Sequence, residues 1–183
     1  MKIITIPNKI LRNKNLPIIQ INKQITNLIL NLKKTLNDAK NPDGVGLACP
    51  QIGKNWQIFL TKFKRNEIKI YLNPTIINHS KQKNIMKDIT NLEGCLSIPH
   101  VYGHVPRWEM IELQYQEINN NQLITKTDKF IKYKARVIQH EYDHLQGILF
   151  TDHVLYYQTN FFLLDNNQLK ECHDYQLLKT ILI

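Results

Sequence analysis

Gln139-His140-Glu141-Tyr142-Asp143-His144 is the stretch that decides how this chain reads. Its two histidines stand four positions apart, so on a helix both imidazoles leave one face and can share one metal ion. Glu141 follows the first histidine, where a carboxylate can exchange a proton with water held by the metal. That is the equipment of a metallohydrolase. The flanking residues suit a helix, because Ala135, Ile138, Tyr142 and Leu145 recur at three- and four-residue steps and form an apolar stripe beside the histidines. Thr127 or Asp128 is expected to cap its start, and Gly147 to follow its last turn. A surface helix that carries two histidines by accident has the same pattern, so the source of a third ligand matters.

Downstream candidates for that ligand are poor. One protease class continues the motif as His-Glu-x-x-His-x-x-Gly-x-x-His; Gly147 fits, but the last position is Phe150, which binds no metal. A second class takes a glutamate from further along, and Glu171 sits in a short polar run near the C terminus. Upstream lies Glu93-Gly94-Cys95-Leu96-Ser97, whose cysteine is either an inert small core residue or a thiolate ligand. Further upstream, Gly44-Val45-Gly46-Leu47-Ala48-Cys49-Pro50-Gln51 is small and apolar and ends in a carboxamide. Its glycines would let another backbone approach closely, and Gln51 could donate a hydrogen bond to a developing oxyanion. Each segment is weak alone. Together, in this order, they are strong.

With these three segments the chain resembles the peptide deformylase family, which carries Gly-x-Gly-x-Ala-Ala-x-Gln, Glu-Gly-Cys-x-Ser and Gln-His-Glu-x-Asp-His in that order. The resemblance also takes in Pro7 to Arg12, Asn73-Pro74 and Val105-Pro106-Arg107, and runs to about Asp152. It implies Cys95, His140 and His144 as ligands of one divalent metal ion: Fe(II) in the cell, with Zn, Ni or Co expected in purified protein. It implies Glu141 as general base and then general acid, with Gln51 and the backbone N–H of Leu96 holding the oxyanion. The backbone near Val45 and Gly46, and that after Pro99, would pair with an extended peptide. Val45, Leu96, Val137 and the ring of His140 would line a methionine pocket. The implied reaction is hydrolysis of the N-formyl group from the N-terminal formylmethionine of newly made proteins, releasing formate. A formyl carbon bears only hydrogen, so a narrow site admits it and excludes larger acyl groups.

Two departures from the family pattern stand out. Cys49 replaces the second alanine of the first motif and reads as a small buried thiol in an alanine site. Tyr102 stands where many members carry an arginine that helps hold the peptide backbone. Neither touches an implied ligand or the base. A rival zinc amidase or protease would have to ignore Cys95. A catalytically silent relative would most simply lack one of Gln51, Glu141 or the three ligands, and all are present.

Composition agrees with a single catalytic domain over 1–183, with a divergent tail from about residue 156. Three widely spaced cysteines argue against a disulfide framework and for a reducing compartment. No apolar run approaches the roughly 20 residues that span a bilayer, so no membrane association is expected. Family-like sequence begins within the first ten residues and leaves no space for a signal peptide. The expected location is the bacterial cytoplasm, or an organelle interior where an import sequence lies outside this sequence.

The net charge of +9 and pI near 9.4 suit work close to nucleic acid, and nascent chains emerge from a ribosome. The basic residues are scattered, however; Lys62, Lys64 and Arg65, or Lys81, Lys83 and Lys87, make only loose patches on a solvated surface. Sequence-specific nucleic-acid binding is not expected, and ribosome contact would be transient. Asn166 to Ile183 could form a helix, but Lys170 and Lys179 are offset there by Glu171 and Asp174.

Elsewhere Ile21, Ile25, Leu28, Leu32 and Leu36 mark an amphipathic first helix that ends before the turn signal Asn41-Pro42-Asp43-Gly44. Gln57 to Thr61, Lys69 to Leu72 and Met110 to Tyr115 read as strands, and Asn119-Asn120-Asn121 as a hairpin turn into Leu123 to Thr125. The expected fold is α+β, with small, mostly antiparallel sheets packed around the metal-binding helix. The resemblance implies the same.

Overall fold

Apolar residues at helical spacing after Asn22 build α1 (Lys23–Asp38), which Asn22 caps by accepting the Ile25 N–H at 3.0 Å. Ile25, Leu28, Leu32 and Leu36 are buried along one stripe, each contributing about 1.5–3 kcal/mol by leaving water. The computed structural model describes residues 1–40, 44–64, 67–85 and 91–182. The turn expected at Asn41-Pro42-Asp43 lies outside the described residues; Gly44 closes the connection by donating its N–H to the Ala39 carbonyl.

Among the described residues eleven strands follow in chain order: β1 (Gly46–Ala48), β2 (Ile58–Lys64), β3 (Glu67–His79), β4 (Lys83–Asn84), β5 (Glu93–Cys95), β6 (Ile98–Gly103), β7 (Arg107–Trp108), β8 (Met110–Asn119), β9 (Gln122–Ile131), β10 (Phe161–Asp165) and β11 (Gln168–Cys172). They form a five-stranded sheet in the order β1-β2-β3-β8-β9, a four-stranded sheet in the order β11-β10-β6-β5, and the pair β4-β7. Neighbouring strands run antiparallel throughout. The strands read from the sequence fall where expected but are longer, and Gln57 precedes its strand by one residue.

The β8–β9 hairpin turns on Asn120 and Asn121, at φ 48° and 61°, a left-handed conformation that asparagine tolerates. β9 then runs on to Ile131, and α2 (Lys132–Leu145), the helix that carries His140 and His144, starts directly after it. Thr127 and Asp128 therefore do not cap this helix. Asp128 is engaged across the sheet instead, accepting hydrogen bonds from Lys69 Nζ at 2.6 Å and Tyr115 Oη at 2.8 Å. Gly147 follows α2 at φ 74°, as expected.

The stripe of α2 packs Ala135, Ile138 and Leu145 against Phe59, Tyr71 and Tyr115 of the larger sheet. A second cluster joins α3 (Phe150–Tyr157) to the smaller sheet through Phe150, Val154, Val101 and Phe161. The chain end corrects a further expectation. Asn166 onward is not one helix, because β10 and β11 form a hairpin turning on Asn166 and Asn167, again at φ 48° and 61°. Only α4 (Tyr175–Leu182) is helical there, and Ile183 lies outside the described residues. The apolar run Phe161–Leu164 finds a partner strand in β6, which outweighs whatever a solvent-exposed helix would gain. The architecture is α+β, with antiparallel sheets around α2.

Candidate active site

One face of α2 presents Tyr133, Arg136, Val137, His140 and Glu141, at helical spacing, to a cavity of about 400 Å³. Across from them, the β5–β6 register shifts after Gly94, and Cys95 stands at this irregularity. The donor atoms of Cys95, His140 and His144 lie within 4.8 Å of one another, and Cys95 Sγ is 3.2 Å from His144 Nε2. Three donor atoms converging this closely could hold one metal ion. Burial alone would raise the Cys95 thiol, but His144 and His140 outweigh it and hold the thiol well below its ordinary value. A cysteine poised as a thiolate beside two imidazoles is the donor set that a soft-to-borderline divalent metal requires.

Charge reaches this cluster through a buried relay. Glu93 Oε2 lies 3.2 Å from His140 Nδ1, which turns the opposite ring nitrogen towards Cys95. Arg107 grips Glu93 with two donors, Nε and Nη2, each at 2.9 Å. Its remaining arm, Nη1, reaches Asp143 Oδ2 at 2.5 Å, and Asp143 also meets His153 Nε2 at 2.8 Å. Burial would raise the Glu93 carboxyl, but the Arg107 charge and the His140 hydrogen bond drive it far below the usual range. Gln139 fixes the helix by clasping the Trp108 backbone, accepting from its N–H at 3.0 Å and donating to its carbonyl at 2.8 Å.

Glu141 is buried, and its Oε2 has no hydrogen-bond partner among the described residues. Burial pushes its carboxyl up to about 7, against the opposing pull of His140 and His144. The carboxylate packs on Gly46 of β1, at a separation that only glycine permits. Gln51 sits in a short 3-10 turn, Cys49–Ile52, that ends at Gly53 in the left-handed region. Its Oε1 accepts the Ala48 N–H at 2.8 Å, so its amide nitrogen is aimed at Cys95 Sγ (3.5 Å) and Ser97 Oγ (3.3 Å).

Val45, Gly46, Gln51, Cys95, Leu96, His140 and Glu141, drawn from all three sequence motifs, line this one cavity together with Val137. His144 lies behind it, buried and joined to the metal cluster. The rejected alternatives stand elsewhere. Glu171 is on β11 and accepts from Asn160, while Phe150 only stacks its ring 6.2 Å from that of His140. Cys49 is fully buried, and burial raises its thiol, as suits a filler of an alanine site. The structuring roles of Arg107, Asp143 and Gln139 were not read from the sequence, although each belongs to a segment singled out there.

Residues 1–159 match the family model of polypeptide deformylase. The chain belongs to this family. It is similar to the peptide deformylase of Pseudothermotoga lettingae, at 36% identity over 82% of this chain and 81% of the relative. Chloroplastic peptide deformylase 1B of Solanum lycopersicum is 36% identical over 83% of this chain and 52% of that protein. Among solved structures, a deformylase from Legionella pneumophila superposes with a TM-score of 0.73 at 28% identity, covering 83% of this chain and 84% of that one. The match leaves the β10–β11 hairpin and α4 outside the family model. Deformylation of formylmethionyl peptides is the activity of this family, and the three-donor cluster is consistent with its metal dependence.

Proposed function

We propose that this chain deformylates nascent peptides through Glu141, with Cys95, His140 and His144 holding one divalent metal ion. The observation that carries the reading is the Glu141 carboxylate, unpartnered at Oε2 and set beside three converging donor atoms. The Cys/His/His set fits Fe(II) in the cell, and it accepts Zn, Ni or Co in purified protein. The bound ion supplies Lewis acidity that brings the pKa of water from about 15.7 towards 7.

Glu141 takes a proton from the attacking water and returns one to the leaving amine. A buried carboxylate with one oxygen free of protein partners, lining the same cavity as the donor cluster, is placed for both tasks. Gln51 Nε2 and the Leu96 N–H receive the formyl oxygen as it gains charge; losing one such donor typically costs about a hundred- to a thousandfold in rate. β1 is the edge of its sheet and β5 the edge of the other, so an extended peptide can lie between them on Val45 and Gly46. Val45, Leu96, Val137 and the His140 ring receive the methionine side chain.

Residues 1–183 act as one catalytic domain, whose tail from about 156 departs from the family. Among the described residues no helix is long and apolar enough to cross a membrane. The enzyme works in the bacterial cytoplasm or an organelle interior. A net charge of +9 favours transient contact with the ribosome. The test is formate release from formyl-Met-Ala-Ser by protein prepared anaerobically with Fe(II) or reloaded with Ni(II), beside a Glu141→Ala variant. Fast release that disappears in a variant of unchanged metal content supports the reading. No release from fully metallated wild-type protein overturns it.

A further inference from the structure

The family match stops at residue 159, yet the chain beyond it folds back onto the sheet that carries Cys95. β10 pairs with β6 in the register Phe161↔Gly103, Phe162↔Tyr102, Leu163↔Val101. Side chains alternate along a strand, so Phe161 and Leu163 turn into the core with Val101 and Val154. Leu164 leaves by the opposite face, the one that carries His100 and Tyr102. There the Tyr102 ring covers Gly94, so closely that a Cβ on residue 94 would lie 2.7 Å from Tyr102 Cε1. Leu164, His100 and Tyr102 all line the cavity that holds Cys95 and Glu141.

We propose that β10 forms one wall of the peptide cleft and that Leu164 selects for apolar side chains downstream of the formylmethionine. The inference rests on the deformylase reading. Strands in a sheet lie about 4.8 Å apart, which sets β10 about 10 Å across from β5 and its metal-cluster cysteine. Leu164 shares the cavity with Cys95 but stands two strands away from it, so it faces peptide residues beyond the formylated one. Leu164 gives the wall its apolar surface, beside the rings of His100 and Tyr102. The charged residues lining the cavity, Glu93, Arg136 and Glu141, all lie on β5 and α2, and none lies on the β6–β10 side.

The wall is fixed in place. Phe161 and Leu178 are buried, and Tyr175 Oη donates to the Thr159 carbonyl at 3.2 Å. The His104 N–H donates to the Asn160 carbonyl at 3.0 Å, which ties the start of the hairpin to the end of β6. A half-buried leucine on a strand paired on both sides, with β6 and β11, is a specificity element set in advance of binding.

The test compares kcat/KM of the metal-loaded full chain on formyl-Met-Ala-Leu-Leu, formyl-Met-Ala-Asp-Asp and formyl-Met-Ala-Lys-Lys. Wild-type protein is expected to prefer the leucine peptide. Leu164→Lys should shift the leucine-to-aspartate ratio at least tenfold towards aspartate, and Leu164→Asp should shift the leucine-to-lysine ratio towards lysine. Leu164→Ala, the mildest change, should lower the leucine preference about threefold. Leu177→Asp, on exposed α4 away from the cavity, should leave both ratios where they are. Ratios that stay constant in all three Leu164 variants, or that move equally in Leu177→Asp, overturn the proposal. Wild-type protein inactive on every formylated peptide would instead overturn the deformylase reading.

Discussion

Gly46 and Glu141 touch so closely that a Cβ on residue 46 would lie 2.6 Å from Glu141 Cδ and closer still to its Oε1. The first-motif strand thus sets the position of the third-motif carboxylate by leaving no atom in its way. Gly46→Ala is expected to displace the Glu141 carboxylate while Cys95, His140 and His144 stay in place. General acid–base groups typically contribute about 10²–10⁴-fold. Formate release should therefore fall about a hundredfold or more, with metal stoichiometry unchanged. A variant that keeps more than a third of wild-type activity would show that the Gly46 contact does not position the base.

Arg107 is the hub that holds Glu93 and Asp143, and only 4% of its side chain is exposed. Both carboxylates are largely buried, and both are held below the usual carboxylate range with the Arg107 charge as the main lowering influence. Arg107→Ala leaves Glu93 only Arg136 and His140 as partners and Asp143 only His153, and removing one partner of a buried pair typically costs about 3–5 kcal/mol of stability. Because Glu93 orients His140, metal affinity should also weaken by about 10- to 100-fold. Urea unfolding and a chelator competition measure the two effects separately. A fall in stability with unaltered metal affinity would remove Glu93 from the tuning of the site.

Gly147 follows α2 at φ 74°, and a Cβ there would lie 2.6 Å from the Arg12 carbonyl carbon. The same region is tied by Asn15, whose N–H donates to the Leu145 carbonyl at 2.9 Å. Gly147→Ala meets both an unfavourable left-handed conformation, about 1 kcal/mol, and a backbone clash that forces the segments apart. The expected loss exceeds 2 kcal/mol, read as a lower urea midpoint. Gly147→Asn tolerates the dihedral but not the clash, so it should be nearly as damaging.

The candidate site was legible because its residues sit in three short local patterns, and each pattern puts its residues on one element: α2, the β5 end and β1 with its 3-10 turn. Arg107 was visible only as part of Val105-Pro106-Arg107. Its ion pair with Asp143 spans 36 positions, and such a pair leaves no periodic mark. The start of α2 was misplaced because Asp128 has the chemistry of a cap, while tertiary structure gave it Lys69 and Tyr115 as partners. The tail was misread although Asn166-Asn167 is the same turn signal as Asn120-Asn121, and both pairs adopt the same dihedrals. What the sequence lacked there was a sign that Phe161–Leu164 had a partner strand, since β6 lies some sixty residues upstream.

Tyr71 joins two aromatic neighbours in the core, with ring centroids 4.6 Å from Phe59 and 4.8 Å from Tyr115. Burial pushes its phenol up to about 12; the Thr61 hydrogen bond opposes this, and the Asp128 and Glu117 charges add to it. An unfolded tyrosine ionises near pH 10, so the folded state binds this proton more tightly than the unfolded state does. Its contribution to stability is therefore fully present below about pH 10 and is lost as pH rises to about 12. Holding the phenol protonated up to about pH 12 corresponds to about 2–3 kcal/mol at most. Tyr71→Phe should remove this component, so the fall in Tm above pH 10 becomes shallower in the variant than in wild-type protein. Ultraviolet titration should show one late-ionising tyrosine fewer. Parallel Tm curves for the two proteins from pH 8 to 12 would mean that Tyr71 ionises no later in the folded state than in the unfolded chain.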